Sequence, residues 1–248
     1  MRTSAPLTAV AAIFLSASLL ACQPLSENRV KADASSLAHW PTVVPGVKKD
    51  PVIEARVEAL LQTLSLEQKV AQMIQPEIRN ITVEDMRKYG FGTYLNGGGA
   101  FPNNNKNSSA SDWVDLAEKL YQASIDASED GSAIPTMWGT DAVHGHNNVI
   151  GATIFPHNIG LGAANNPDLI REIGAATAKE VMATGIDWVF APTVATVRDD
   201  RWGRTYEGYS EDPEIVKSYA KSIVHGRSLF AMTQHQCNFV IGLNVMFH

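Results

Sequence analysis

From Ile53 to Gly226, short β-prone runs alternate with stretches of helical period, and this alternation constrains the fold most. Ile53, Val57, Leu60, Leu61 and Leu64 recur at helical spacing. Ser65-Leu66-Glu67-Gln68 reads as a capping box that opens a second helix, Leu66 to about Gln75, halted near Pro76. Glu84–Lys88 is a short helix. Phe91–Asn96 is a β-prone run closed by Gly97-Gly98-Gly99. Asp112–Ala127 returns to helix, Ile134–Gly139 is a strand, and Ala152–Phe155 is a short strand or extended piece. Asn166-Pro167 starts a helix that runs to about Thr184, with Gly185 as its stop. Ile186–Ala191 is an apolar strand cut off by Pro192. Asp212-Pro213 caps a last helix that runs to about His225, where Gly226 ends it. Strands that alternate with helices form a parallel sheet with helical crossovers. Short apolar strands covered on both faces fit a (β/α) barrel or a doubly wound sheet.

Several functions are set aside by what the chain lacks. The net charge is −6 and no long basic cluster occurs, so nucleic acid is not an expected partner. Neither a Gly-x-Gly-x-x-Gly turn nor a Gly-x-x-x-x-Gly-Lys loop is present, which argues against nucleotide binding. The two cysteines, Cys22 and Cys237, are too widely spaced to read as a disulfide framework or a metal cluster.

Residues 1–21 place one charge, Arg2, before an apolar run, the layout of a secretory signal. The run is short for a spanning helix. It ends in Leu19-Leu20-Ala21-Cys22, which resembles a bacterial lipobox. That resemblance implies a lipid-anchored chain acylated at Cys22, exported to the periplasm or outer membrane. The alternative is a simple secretory signal with an incidental cysteine. Residues 22–50 form a tether and lead-in, polar and small over Gln23–Ala38.

In parallel α/β folds the functional residues sit at the C-terminal ends of strands. Three such ends stand out: Leu95–Gly99, Met137–Asn148 and Ala191–Asp212. The second contains Thr140-Asp141-Ala142-Val143-His144-Gly145-His146. The third contains Arg201-Trp202-Gly203-Arg204, Tyr206-Glu207 and Ser210-Glu211-Asp212-Pro213. With Leu60–Met73, these segments resemble glycoside hydrolase family 3, in its β-glucosidase and exo-glucanase branch. The resemblance covers roughly residues 51–226. It implies a TIM-like (β/α)8 barrel, of which this chain is the N-terminal part only, with sugar bound at the top.

The resemblance also implies roles. Asp141 matches the family aspartate that accepts hydrogen bonds from sugar hydroxyls, as an ionised carboxylate can from two neighbours at once. By spacing alone it would be an Asp that caps a turn. Arg204 matches the family arginine that reaches the same sugar, and its rigid fork suits oriented hydroxyls. By itself it would be a surface ion pair. Arg201 and Trp202 shape the loop, and Asp199 and Asp200 are available to pair Arg201 or Arg204. His144 and His146 lack a third ligand, so no metal is expected; they hydrogen-bond the loop together. Ser111-Asp112-Trp113 mimics the family's nucleophile triplet, but it follows a polar loop and opens a helix, so Ser111 or Asp112 reads as an N-cap.

Retention needs two carboxyl groups about 5 Å apart. The resemblance places the family nucleophile on a later strand and the acid/base in a second domain or late loop, so no catalytic residue is expected here. Nor is a cofactor. Residues 227–248 do not resemble the family, and the Lys-His pair that the resemblance places after Gly226 is absent, as out-of-frame translation or truncation of the gene would produce. The expected activity is release of terminal β-D-glucosyl residues from glucosides or β-glucan oligosaccharides by the intact parent, with this chain an inactive fragment. The alternatives are a non-catalytic sugar-binding lipoprotein and a remnant with neither property.

Overall fold

The computed structural model describes residues 48–233 and 240–241. The secretory signal, the tether up to residue 47 and the lipidation expected at Cys22 lie outside the described residues, as does most of the tail after Thr233. Everything below belongs to the compact unit that begins at Pro51.

Four parallel strands form one sheet in chain order: β1 (Thr93–Asn96), β2 (Met137–Thr140), β3 (Trp188–Val189) and β4 (Val240–Ile241). The helices are α1 (Pro51–Thr63), α2 (Leu66–Ala71), α3 (Val83–Tyr89), α4 (Ala110–Ser124), α5 (Asn158–Ala164), α6 (Pro167–Met182) and α7 (Pro213–Thr233). The segment Pro76–Ile78 covers the outer edge of β1: Leu95 N–H donates to the Pro76 carbonyl at 3.0 Å, and Ile78 N–H to the Leu95 carbonyl at 2.9 Å. This is the α/β fold with a parallel sheet that the alternation predicts.

Local chemistry starts most helices. The capping box at Ser65 and Gln68 forms, and Thr82 with Asp85 makes a second ahead of α3. Asn166 caps α6 through Leu169 N–H at 3.1 Å, with Pro167 at the first position. The cap of α4 is Ser109, neither Ser111 nor Asp112; Asp112 is its capping-box partner and accepts from Ser109 N–H at 2.7 Å. Three candidate caps lie within four residues, and Ser109 is the one that exchanges bonds with the acid three positions on, Asp112. Trp113 is fully buried, so the triplet Ser111-Asp112-Trp113 belongs to a helix start.

Ala152–Phe155 is the extended piece rather than a strand, and its Thr153 is tied to Glu180 of α6. Gly226 does not end the last helix, which continues to Thr233. A Cβ at Gly226 would lie 2.1 Å from the Arg171 carbonyl oxygen, and one at Gly174 would lie 2.8 Å from that of Ile223. These glycines let α6 and α7 cross backbone to backbone, which is why they stand inside helices.

Aromatic rings fill the core between the sheet, α3 and α4. Trp113 stacks on Trp138 at 5.5 Å, and Tyr94 meets Trp138 at 5.1 Å. A second cluster, with Leu161, Ile170, Tyr209, Tyr219 and Ile223, joins α5, α6 and α7. This packing holds the loops that leave β2 and β3.

Candidate functional site

Asp141 directly follows β2, half-buried at the start of a loop that ends at α5. Asn148 fixes that start: its side-chain amide donates to the Asp141 carbonyl at 3.2 Å. Gly145 then reverses the chain at φ +82°, where a Cβ would stand 2.1 Å from the Thr153 carbonyl oxygen. The reversal brings Phe155 N–H to the His144 carbonyl at 3.0 Å. His157, the residue before α5, therefore returns beside His144.

Arg204 lies on the loop after β3, just before the short turn Thr205–Glu207. Arg204 Nε donates to Glu207 Oε1 at 2.7 Å, and its Nη2 reaches Oε2 of the same carboxylate. Both oxygens of the largely buried Glu207 thus face one guanidinium, a bidentate pair that fixes the plane of Arg204. Asn158 of α5 donates to the Glu207 carbonyl at 2.8 Å and ties the turn to the helix. Asp199 holds Arg201 through its backbone N–H and its guanidinium, but Glu207 holds Arg204.

Asp141, Arg204 and Glu207 share one electrostatic neighbourhood. Burial raises the Asp141 carboxyl above the ordinary aspartate value; the Arg204 charge pulls it down and the Glu207 charge pushes it up. Arg204 is held protonated first by its bond to Glu207. A carboxylate and an oriented guanidinium on adjacent strand-end loops offer acceptors and donors in fixed directions, which is what a polyhydroxylated ligand requires.

The two loop histidines part ways. His146 points into the core, with Nε2 2.8 Å from Thr184 Oγ1 and its ring 6.0 Å from Trp113, and burial pushes it down to about 4. His144 stays with the site, its Nε2 2.9 Å from His157 Nδ1, and the His157 ring meets Tyr206 edge-on at 4.8 Å. The Arg204-x-x-Glu207 spacing could have revealed Glu207, since residues three apart share one side of a turn. Nothing local marks His157, 13 positions from His144.

The model of the glycosyl hydrolase family 3 N-terminal domain matches residues 65–238. The chain belongs to glycosyl hydrolase family 3. Membership gives the sheet its setting, a TIM-barrel-like α/β domain. The match starts later than the resemblance read from Pro51 and runs past Gly226. A lysosomal β-glucosidase of Dictyostelium discoideum is 33% identical over 186 residues, which is 68% of this chain and 22% of that protein. An exo-1,3/1,4-β-glucanase from a Pseudoalteromonas species superposes with a TM-score of 0.71 at 64% identity, over 75% of this chain and 23% of that one. A β-N-acetylhexosaminidase from Beutenbergia cavernae, at 20% identity and a TM-score of 0.55 over 73% of this chain and 52% of that one, shares the fold. The chain spans under a quarter of the first two relatives.

Proposed function

We propose that this family 3 chain is the sugar-gripping N-terminal part of a retaining hydrolase that, when intact, releases terminal β-D-glucosyl residues from glucosides or β-glucan oligosaccharides. Its four parallel strands are read as the first part of an eight-stranded barrel. The observation that carries the proposal is the fixed Arg204–Glu207 pair acting on Asp141. The β-glucosidase and exo-glucanase relatives supply the substrate class.

The same geometry argues that the chain by itself does not turn over. A retaining mechanism needs one carboxyl group free to attack and a second about 5 Å away to give and take a proton. Both Glu207 oxygens are occupied by Arg204, and Asp141 is assigned to hydroxyl binding. Anchoring through an acylated Cys22, in the periplasm or outer membrane, completes the proposal. A second reading, a sugar-binding lipoprotein without turnover, needs the same two residues.

Calorimetry with glucose and cellobiose, together with p-nitrophenyl β-glucoside hydrolysis by this chain, tests the proposal. Binding that vanishes in Arg204→Met, without turnover, supports it. Turnover would refute the assignment of Asp141 and Glu207 to non-catalytic roles, and no binding would refute the sugar grip.

A further inference from the structure

Three segments meet at two imidazoles. His144 comes from the loop that begins with Asp141, His157 from the start of α5, and Tyr206 and Glu207 from the turn that follows Arg204. The His144 and His157 rings lie 4.3 Å apart at 85°, with Nε2 and Nδ1 at 2.9 Å. At that distance one nitrogen donates and the other accepts, so the contact exists only while one of the two facing nitrogens lacks a proton. With both protonated, two N–H groups and two positive charges would face each other, and the bond would be lost.

We propose that His144 and His157 form a positioning clamp that ties the Asp141 end of this loop to its α5 end, where His157 packs on Tyr206 and Asn158 binds the Glu207 carbonyl, while the pair carries at most one added proton, and that frees the Asp141 end when a second enters. The clamp acts through Asp141 and Arg204, so its effect on sugar rests on the sugar-binding reading above. The ionisable groups that face it are Glu207, which acts on His144, and Tyr206, which touches His157. Burial lowers the affinity of His144 for a proton first, the His157 charge lowers it further, and Glu207 opposes both. The second proton therefore enters below the ordinary histidine value. The clamp is closed at neutral pH and opens as the pH falls below about 6.5.

Two measurements on this chain test the clamp. The first is NMR titration of the His144 and His157 imidazoles and of the Arg204 Nε–H signal, with no sugar present. The expected result is that the Arg204 signal moves with the midpoint of the pair. In His157→Asn, which keeps a hydrogen-bonding atom near Nδ1 and cannot titrate, that movement should disappear. An Arg204 signal indifferent to the pair, or an identical response in His157→Asn, overturns the proposal. The second is cellobiose affinity by calorimetry between pH 7.5 and 5. Wild type should lose about tenfold, a coupling of ordinary allosteric size; His157→Asn should lose its pH dependence, and His157→Ala should bind weakly throughout. Wild-type affinity and pH dependence in His157→Ala would overturn the clamp. If no variant binds cellobiose while the Arg204 signal still follows the pair, the sugar reading fails and the clamp stands.

Discussion

Helices α4 and α1 are both of ordinary length, and both carry an apolar stripe at helical spacing. Helix α4 buries Trp113, Leu120 and Ala123 against the sheet. Helix α1 buries none of its residues: Val52, Ile53, Val57, Leu60 and Leu61 are all exposed, and Leu66 and Met73 beyond it are 71% and 82% exposed. An apolar stripe thus specifies a face, not the surface that covers it. A 13-residue helix without packing is marginal in water, so α1 needs a covering surface of the kind that α4 already has.

The largest break in that comparison comes from the packed side. Trp138 is fully buried between Trp113 and Tyr94, and its indole N–H donates to Asn96 at 2.9 Å. Trp138→Ala should cost about 3–5 kcal/mol, from lost burial and the cavity left behind. Urea unfolding followed by far-ultraviolet circular dichroism measures this, and a loss under about 1 kcal/mol would mean that the aromatic core is not the one described. Acid should act at the same place. His146, held near 4 by burial, takes up its proton far more readily unfolded than folded. Its contribution is whole above pH 6.5 and is lost as the pH falls toward 4, about 3 kcal/mol in all. Thermal melts at pH 7.5 and pH 4.5 should show this limb in wild type and not in His146→Leu.

How much of the fold is legible in the sequence follows the same division. Caps and periodicity are local, so the order of α3, β1, α4, β2, α6, β3 and α7 can be read from neighbours in the chain. The long apolar run Ile186–Ala191 shrinks to two paired residues, because the length of a strand depends on what lies beside it. Helix α5 has no local signal: Asn158–Ala164 carries two glycines and has no capping side chain. Gly226 reads as a stop by local rules and serves as a contact by tertiary ones. At the site, resemblance points to Asp141 and Arg204, and Glu207 lies within local reach of Arg204 at three residues' spacing, whereas His157 joins His144 and Tyr206 only when the fold brings separate segments together.

Arg227 sharpens the comparison from the other side. It is buried where α7 meets the loop after β2; one nitrogen donates to the Ala142 carbonyl at 3.1 Å, while Nε and Nη1 find no partner among the described residues. Burial lowers it to about 10, so it keeps its charge at neutral pH at a cost in folding free energy. Removing the whole cation should therefore stabilise the chain: Arg227→Met is expected to gain about 1–3 kcal/mol in urea unfolding. A loss of similar size would show that the single bond to Ala142 outweighs the desolvation. The family match extends to residue 238, so Arg227 lies within the domain and the cost falls on its own core.

The smallest effect is expected on α1 and separates two reasons for its exposure. Leu60→Ser and Leu61→Ser remove apolar side chains that stand 45% and 42% exposed. If the face is bare in this chain, stability should change by less than about 0.5 kcal/mol, as for ordinary surface substitutions, and self-association in sedimentation velocity should fall. Leu120→Ala in α4, 2% exposed, should cost about 2–5 kcal/mol under the same conditions. If instead the serine variants cost as much as Leu120→Ala, α1 is covered in solution. A concentration-dependent melting temperature would then assign the cover to a second copy, and a concentration-independent one to the chain itself. Either result would place the α1 stripe in the same class as that of α4.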